Sequence, residues 1–80
     1  MHGPFPPAVN RSDIYISGDV TIEERVIIGP GVVLQATPGS RLIVRARACL
    51  GAGAIVHAHQ GLLEIQTDAI VGARSLVVGT

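Results

Sequence analysis

The sequence predicts an all-β protein, a parallel β-helix built from hexapeptide repeats with roughly three coils. Aliphatic residues recur at intervals of six, and gaps of ten and nine residues interrupt this ladder twice. The position four residues after most ladder residues is small or branched, and glycines fall where the chain must turn. The predicted core rungs are Ile16, Ile22, Ile28, Leu34, Val44, Leu50, Val56, Ile65, Val71 and Val77.

The ladder does not fit an α-helix. An amphipathic helix places apolar residues three and four positions apart, whereas residues six apart fall on different sides of a helix with about 3.6 residues per turn. The chain also holds 10 glycines, and these would fall inside every candidate helix. Short stacked strands therefore explain the pattern better.

The first predicted segment is a proline-rich arm over residues 1–15. It contains Pro4, Pro6 and Pro7 and no part of the ladder, which favours an extended chain. Two interpretations remain open: a disordered tail, or an arm that Phe5 anchors against the β-helix or against a partner.

Residues 16–80 form the predicted β-helix. If three rungs make one coil, both interruptions follow a rung of the same face, at the same corner. They are predicted to be loop insertions at 35–43 and 57–64. The last rung, Val77, comes three residues before the end of the sequence. An open coil exposes strand edges and apolar rungs, so we expect this end to be truncated or uncapped, or covered by something else.

Composition argues against several classes of protein. Six arginines balance six acidic residues and there is no lysine, so neither nucleic acid nor a membrane surface is a predicted partner. No apolar run is long enough to span a membrane. A single cysteine, Cys49, is typical of a reducing compartment, and we expect a cytoplasmic protein. The cluster of Arg41, Arg45 and Arg47 is either a solvated face or a contact for an acidic partner.

Two histidines offer the main chemical hypothesis. His57 and His59 lie two residues apart, and on an extended strand their rings could converge on one side. A catalytic zinc site needs three protein ligands, and no third candidate lies nearby in the sequence. We therefore expect a structural or interface role for the histidines, and assign no catalytic residue, no metal ligand and no cofactor.

The residues also resemble known families. The ladder resembles the γ-class carbonic anhydrase group of left-handed β-helices. The runs SGDVTIEERVIIGPGVVLQATPGSRLIV, ACLGAGAIVHAHQGLLEI and IVGARSLVVG are similar to those of cyanobacterial carboxysome assembly proteins. This second resemblance covers about residues 12–80 and includes the two insertions.

The first resemblance implies that an active zinc site is incomplete. In γ-carbonic anhydrases a histidine after one rung is joined by a histidine pair in the next coil. His57 is similar to the first, but Ala73 and Val78 stand where the pair would be. The resemblance thus implies a subunit that is not an enzyme.

The second resemblance implies a non-catalytic adaptor of carboxysome assembly. Such an adaptor binds a γ-carbonic anhydrase-like partner of the same fold, and we expect a heterotrimer with two partner chains. Attachment of enzyme cargo to the shell would need a C-terminal segment that this sequence does not contain. A γ-carbonic anhydrase-like subunit and a hexapeptide acyltransferase subunit are the alternatives.

We expect the partner to contact the edge where the insertions protrude. Leu62 and Leu63 would form an apolar anchor if both point outward, or fold back as a flap over the β-helix. The candidate interface residues are Phe5, His57, His59, Gln60, Leu62 and Leu63.

Overall fold

The computed structural model describes residues 14–79, and within this range every regular element is a β-strand. The strands are β1 (Tyr15–Ser17), β2 (Val20–Ile22), β3 (Ile27–Ile28), β4 (Val33–Ala36), β5 (Ser40–Val44), β6 (Cys49–Leu50), β7 (Ile55–Ala58), β8 (Gly61–Ile65), β9 (Ile70–Val71) and β10 (Leu76–Gly79).

The strands stack into three parallel sheets. Sheet A has the order β1-β4-β7-β10, sheet B the order β2-β5-β8, and sheet C the order β3-β6-β9. Every pairing joins a strand to its counterpart one coil further along the chain. This arrangement is a three-sided parallel β-helix, and the predicted fold class is confirmed.

The ladder residues lie directly above one another in this register. On sheet A, Ile16 pairs with Leu34, Leu34 with Val56, and Val56 with Val77. Leu34 and Val56 in the middle coils have no exposed surface, whereas Ile16 in the first coil keeps 39% of its surface exposed. Rungs are fully buried only where a coil lies on both sides.

The small residues that follow the ladder by four positions also turn inward. Val32, Ala48 and Ala54 are fully buried, and each precedes the next strand. Their modest volume lets the chain turn a corner beside a branched rung without overpacking the narrow interior.

The two insertions lengthen the strands at one corner. They were expected to protrude as loops, but most of their residues continue β4, β5, β7 and β8. Five residues of β5 pair with five of β8 in one unbroken register, and Leu42 of β5 is fully buried. The added residues thus satisfy their backbone hydrogen bonds within the sheets and widen the core at this corner.

The remaining turn of the first insertion is held by a buried hydroxyl. Ser40 Oγ lies 2.6 Å from the carbonyl oxygen of Thr37 and 3.1 Å from that of Ala58. Ser40 also donates its backbone N–H to Thr37 O at 2.9 Å. The hydroxyl therefore ties the corner to the next coil.

Candidate partner-binding surface

The residue before each rung points outward, because successive side chains of a strand face opposite sides. On sheet A these residues are Tyr15, Val33, Ile55 and Leu76, in one register row. Tyr15 is 59% exposed and Leu76 is 67% exposed. We call this row the sheet A stripe; it runs along the whole described β-helix.

Sheet C carries a second apolar row. Ile27, Cys49 and Ile70 pair in register, and they precede the rungs Ile28, Leu50 and Val71. Ile27 and Ile70 are 65% and 80% exposed. We call this row the sheet C stripe.

A narrow edge separates the two stripes; its turns begin at glycines and also carry Pro30 and the exposed Arg74. The turns from sheet C to sheet A begin at Gly29, Gly51 and Gly72 in successive coils. A Cβ atom on Gly51 would lie 2.6 Å from the backbone nitrogen of Ala73, so the backbones of neighbouring coils approach too closely here for a side chain to fit. We call this feature the glycine edge.

Sheet B and the turns that follow its strands carry ion pairs. The Arg45 guanidinium bridges Glu23 at 2.8 Å and Glu64, and so links three coils. Arg47 binds Asp68 at 2.8 Å at the corner between sheets B and C. The charges of this side of the molecule are largely satisfied within the chain.

These contacts shift the ionisation of their members. Hydrogen bonds from Arg45 and from the backbone N–H of Ala46 hold the pKa of Glu23 below its usual value. The hydrogen bond from Arg47 lowers the pKa of Asp68 in the same way. Hydrogen bonds to Glu64 and Glu23 raise the pKa of Arg45, which stays charged.

A groove of about 790 Å³ lies at the corner between sheets A and B. It forms because the first coil turns directly through Gly18 and Asp19, whereas the second coil extends further with its insertion. Arg41 Nε donates to Asp19 at 3.1 Å on its wall, and Leu62 contributes apolar surface. The groove is concave, but its two charged residues, Arg41 and Asp19, already form an ion pair with each other.

The predicted interface residues lie around this corner without forming one surface. His57 is half-buried on the outer side of sheet A, in register with Gln35 and Val78. His59 and Gln60 are exposed in the turn that follows. The two histidine rings are 6.2 Å apart between centroids and tilted by 58°.

The expectation for Leu62 and Leu63 as an outward pair is wrong, and so is the flap. Leu62 is 51% exposed beside Arg41, whereas Leu63 turns inward above Leu42 and packs against the core. Because the strand continues through the insertion, consecutive side chains face opposite sides, and Leu62 and Leu63 therefore point in opposite directions. Phe5 lies outside the described residues.

The described residues 14–79 contain no group of three or more histidine, cysteine or acidic side chains arranged to hold a metal ion. Val78 occupies the register position next to His57 on the following strand, and Ala73 lies exposed in a turn. No strand of this part of the chain brings a second histidine to the face that His57 occupies.

The two apolar stripes were missed at the level of sequence, although a signal for them exists. The residue before each rung is apolar on sheets A and C, but it is Thr21, Ile43 and Glu64 on sheet B. Assigning every third of these positions to the same sheet separates the two apolar faces from the mixed face of sheet B. The spacing of the rungs alone identifies interior positions and says nothing of the exposed ones.

The fold places the chain in the class of hexapeptide-repeat β-helices, with exposed apolar rows on two of its three faces. The carboxysome assembly protein CcmN of Synechocystis sp. is 37% identical over 77 residues, which span 94% of this chain and 32% of that protein. CcmN of Synechococcus elongatus is 41% identical over 81 residues, or 99% of this chain and 49% of that protein. The chain thus spans a third to a half of these relatives.

A solved structure agrees with both. A chain in the crystal structure of the CcmM N-terminal domain in complex with CcmN matches with a TM-score of 0.81 and 40% identity, covering 84% of this chain and 64% of that one. No protein-family model matches. Over nearly all its residues the chain is similar to the carboxysome assembly protein CcmN, as the sequence resemblance predicted.

Proposed function

We propose that this β-helix is the partner-binding domain of a carboxysome assembly adaptor and that it binds the β-helical N-terminal domain of a CcmM-type protein. The observation that carries the proposal is the sheet A stripe. It exposes a continuous apolar row on a monomer whose interior is already filled. Contiguous exposed apolar surface of this kind marks protein interfaces.

The comparisons support the nature of the partner. Relatives that match nearly the whole chain are named as assembly proteins, and the matching solved chain comes from a complex of CcmM with CcmN. We propose the same partner class for this chain, with one copy joining two partner chains in a heterotrimer. The role is that of a scaffold in the carboxysome of the cytoplasm, without catalysis.

The longer protein would extend this role. The relatives are two to three times as long as the region they share with this chain, as their covered shares of 49% and 32% indicate. We propose that the residues before β1 act as an arm, that the β-helix begins at Tyr15 rather than at the predicted residue 16, and that a segment beyond it attaches the assembly to the shell and so links enzyme cargo to it. The left-handed sense of the coil belongs to the same proposal.

A titration of the purified chain with a CcmM-type N-terminal domain tests the proposal. We expect Leu76→Asp to weaken binding about tenfold or more, because it places a charge in the sheet A stripe. Thr21→Asp is the matched control, since Thr21 holds the equivalent outward position on sheet B. Equal affinities for both variants and the unmodified chain would contradict the proposal, as would absence of binding by the unmodified chain.

A further inference from the structure

We infer that residues 1–13 dock across the open end of the first coil and act as its cap, with Phe5 set against the exposed core rungs. These residues lie outside the described part of the chain, and the surface at that end points to the cap together with the sequence of the segment. Such a cap would stabilise the first coil and keep a second chain from adding to it. It is independent of the proposed partner, because it covers an end of the β-helix and leaves the three sides free.

The open end of the first coil exposes the interior of the β-helix. Ile16 keeps 39% of its surface exposed, whereas Leu34, which stacks on it, keeps none. Ile28 is half-buried, whereas Leu50, which stacks on it, is 1% exposed. We call this surface the first-coil end; its inward apolar side chains are those of Ile16, Val20, Ile22, Val26 and Ile28. Core positions that remain open together form an apolar patch, which marks a docking surface.

The first-coil end also leaves strand edges open. β1, β2 and β3 are the outermost strands of sheets A, B and C. Ile27 and Gly29 donate their N–H groups to carbonyl oxygens of the second coil, so the N–H of Ile28 between them points to the open side. Such edges can pair with another chain, and proteins protect them by covering them or by placing proline along them. Stacked repeats therefore need caps at their ends.

The chain enters the β-helix at this same end. Tyr15 pairs with Val33, so Ile14 lies in line with Val32, which is fully buried. Ile14 is itself half-buried. The segment that precedes Ile14 is thus attached beside the open core and reaches it without crossing a side of the β-helix.

The length of the segment fits the surface. Each side of the first coil runs six residues from rung to rung, which is about 20 Å at ~3.3 Å per residue. Residues 4–9, with the sequence PFPPAV, would span about 19 Å as a polyproline II helix. Residues 10–13 remain to connect this run to Ile14.

The composition of the segment fits as well. Residues 4–9 are all apolar, and Phe5 is the largest of them. Proline has no backbone N–H, so the three prolines of this run can cover an open edge without offering a complete new edge to another chain. The segment thus combines an aromatic side chain for the open core with a backbone suited to end the stack.

Nuclear Overhauser contacts of Phe5 test the cap directly, because Phe5 is the only phenylalanine of the chain. The full chain is labelled at this ring and at the methyl groups of isoleucine, leucine and valine. It is measured both free and bound to a deuterated CcmM-type N-terminal domain. We expect contacts from the Phe5 ring to methyl groups of Ile16 and Ile28, and none to Leu62 in the corner groove or to Leu76 in the sheet A stripe.

Three outcomes would overturn the cap. They are contacts of Phe5 with Leu62 or Leu76 instead, the absence of contacts with any of these methyl groups, and contacts that join two differently labelled chains in a mixed sample. The third outcome would assign the first-coil end to a second copy of this chain. None of them decides the proposed function, since the titration with the partner domain measures partner binding separately.

Hydrogen exchange provides a second readout. Phe5→Ser should speed the exchange of the Tyr15 and Ile27 amides, which are bonded to the second coil, by about tenfold, because it removes apolar cover from the first coil. His2→Ser is the matched control, since His2 lies in the same segment but outside the apolar run. Equal exchange rates in the two variants would overturn the inference.

Discussion

Neighbouring residues of one strand have opposite environments in this molecule. Val56 is fully buried as a core rung, whereas Ile55 directly before it is 40% exposed in the sheet A stripe. The two side chains differ by one methylene group, so their chemistry is nearly the same and only their direction differs. Position in the strand therefore decides whether a residue stabilises the fold or forms the surface.

The first prediction uses this pair. Val56→Asp should lower the free energy of unfolding by about 3–5 kcal/mol, because it leaves an unpaired charge in the core. Ile55→Asp should keep the fold and weaken partner binding. Thermal melts of the two variants check the difference, and a melt of Val56→Asp like that of the unmodified chain would show that the assigned register is incorrect.

Residue-level prediction from sequence succeeded where periodicity is strict. The six-residue interval gave the interior positions of Leu34, Leu50 and Val56, all buried. It failed at Leu62 and Leu63, because an insertion of unknown conformation resets the count, and only its pairing with β5 reveals which leucine faces inward. Sequence alone cannot say that an insertion continues a strand.

At the scale of elements, the turns at the glycine edge set how closely coils approach. Gly29 and Gly51 each face the backbone of the next coil, where a Cβ atom would lie 2.7 Å and 2.6 Å from the nitrogens of Ala52 and Ala73. Gly72 faces only the hydroxyl of Ser75, at 3.3 Å. A side chain is thus excluded by backbone at the first two turns, whereas at the third it would meet only a side-chain hydroxyl.

The second prediction compares two of these turns. Gly51→Ala should destabilise the β-helix by about 1–3 kcal/mol, since the added methyl group collides with backbone that cannot move without separating the coils. Gly72→Ala should cost clearly less. Chemical denaturation measures both, and equal costs would argue against the close approach at Gly51.

The third prediction concerns the ion pairs of sheet B. The pKa of Glu23 is lowered chiefly by Arg45 and that of Asp68 by Arg47, so both carboxylates bind protons less readily in the folded chain than in the unfolded chain. Their stabilisation is complete above the usual carboxyl pKa of about 4 and is lost as the pH falls through the lower, folded values. We expect thermal stability to drop over this acidic range.

Glu23→Gln should reduce that acid dependence at the cost of lower stability near neutral pH. Glu24→Gln is the matched control, because Glu24 takes part in none of the ion pairs among residues 14–79. Melting curves between pH 3 and pH 7, in the range about the usual carboxyl pKa values, compare the two. The ion-pair interpretation is untenable if both variants show the same pH profile.

At the scale of the whole molecule, the three sides of the prism differ in chemistry. Sheets A and C expose apolar rows beside one edge, while the ion pairs lie on sheet B and at its corners. The overall architecture follows from the sequence because each coil repeats the same pattern of aliphatic rungs and small residues. The surface does not follow so directly, since assigning a residue to a side requires counting through insertions that change the length of a coil.

We propose that this chain assembles with β-helical partners of the CcmM type. This proposal is tested most directly by size exclusion with mass detection on the chain alone and co-expressed with such a partner domain, with metal analysis of the same peak. We predict a stable mixed complex of one copy with two partner chains. A chain that never joins the partner and instead forms a homotrimer with stoichiometric zinc would contradict the claim.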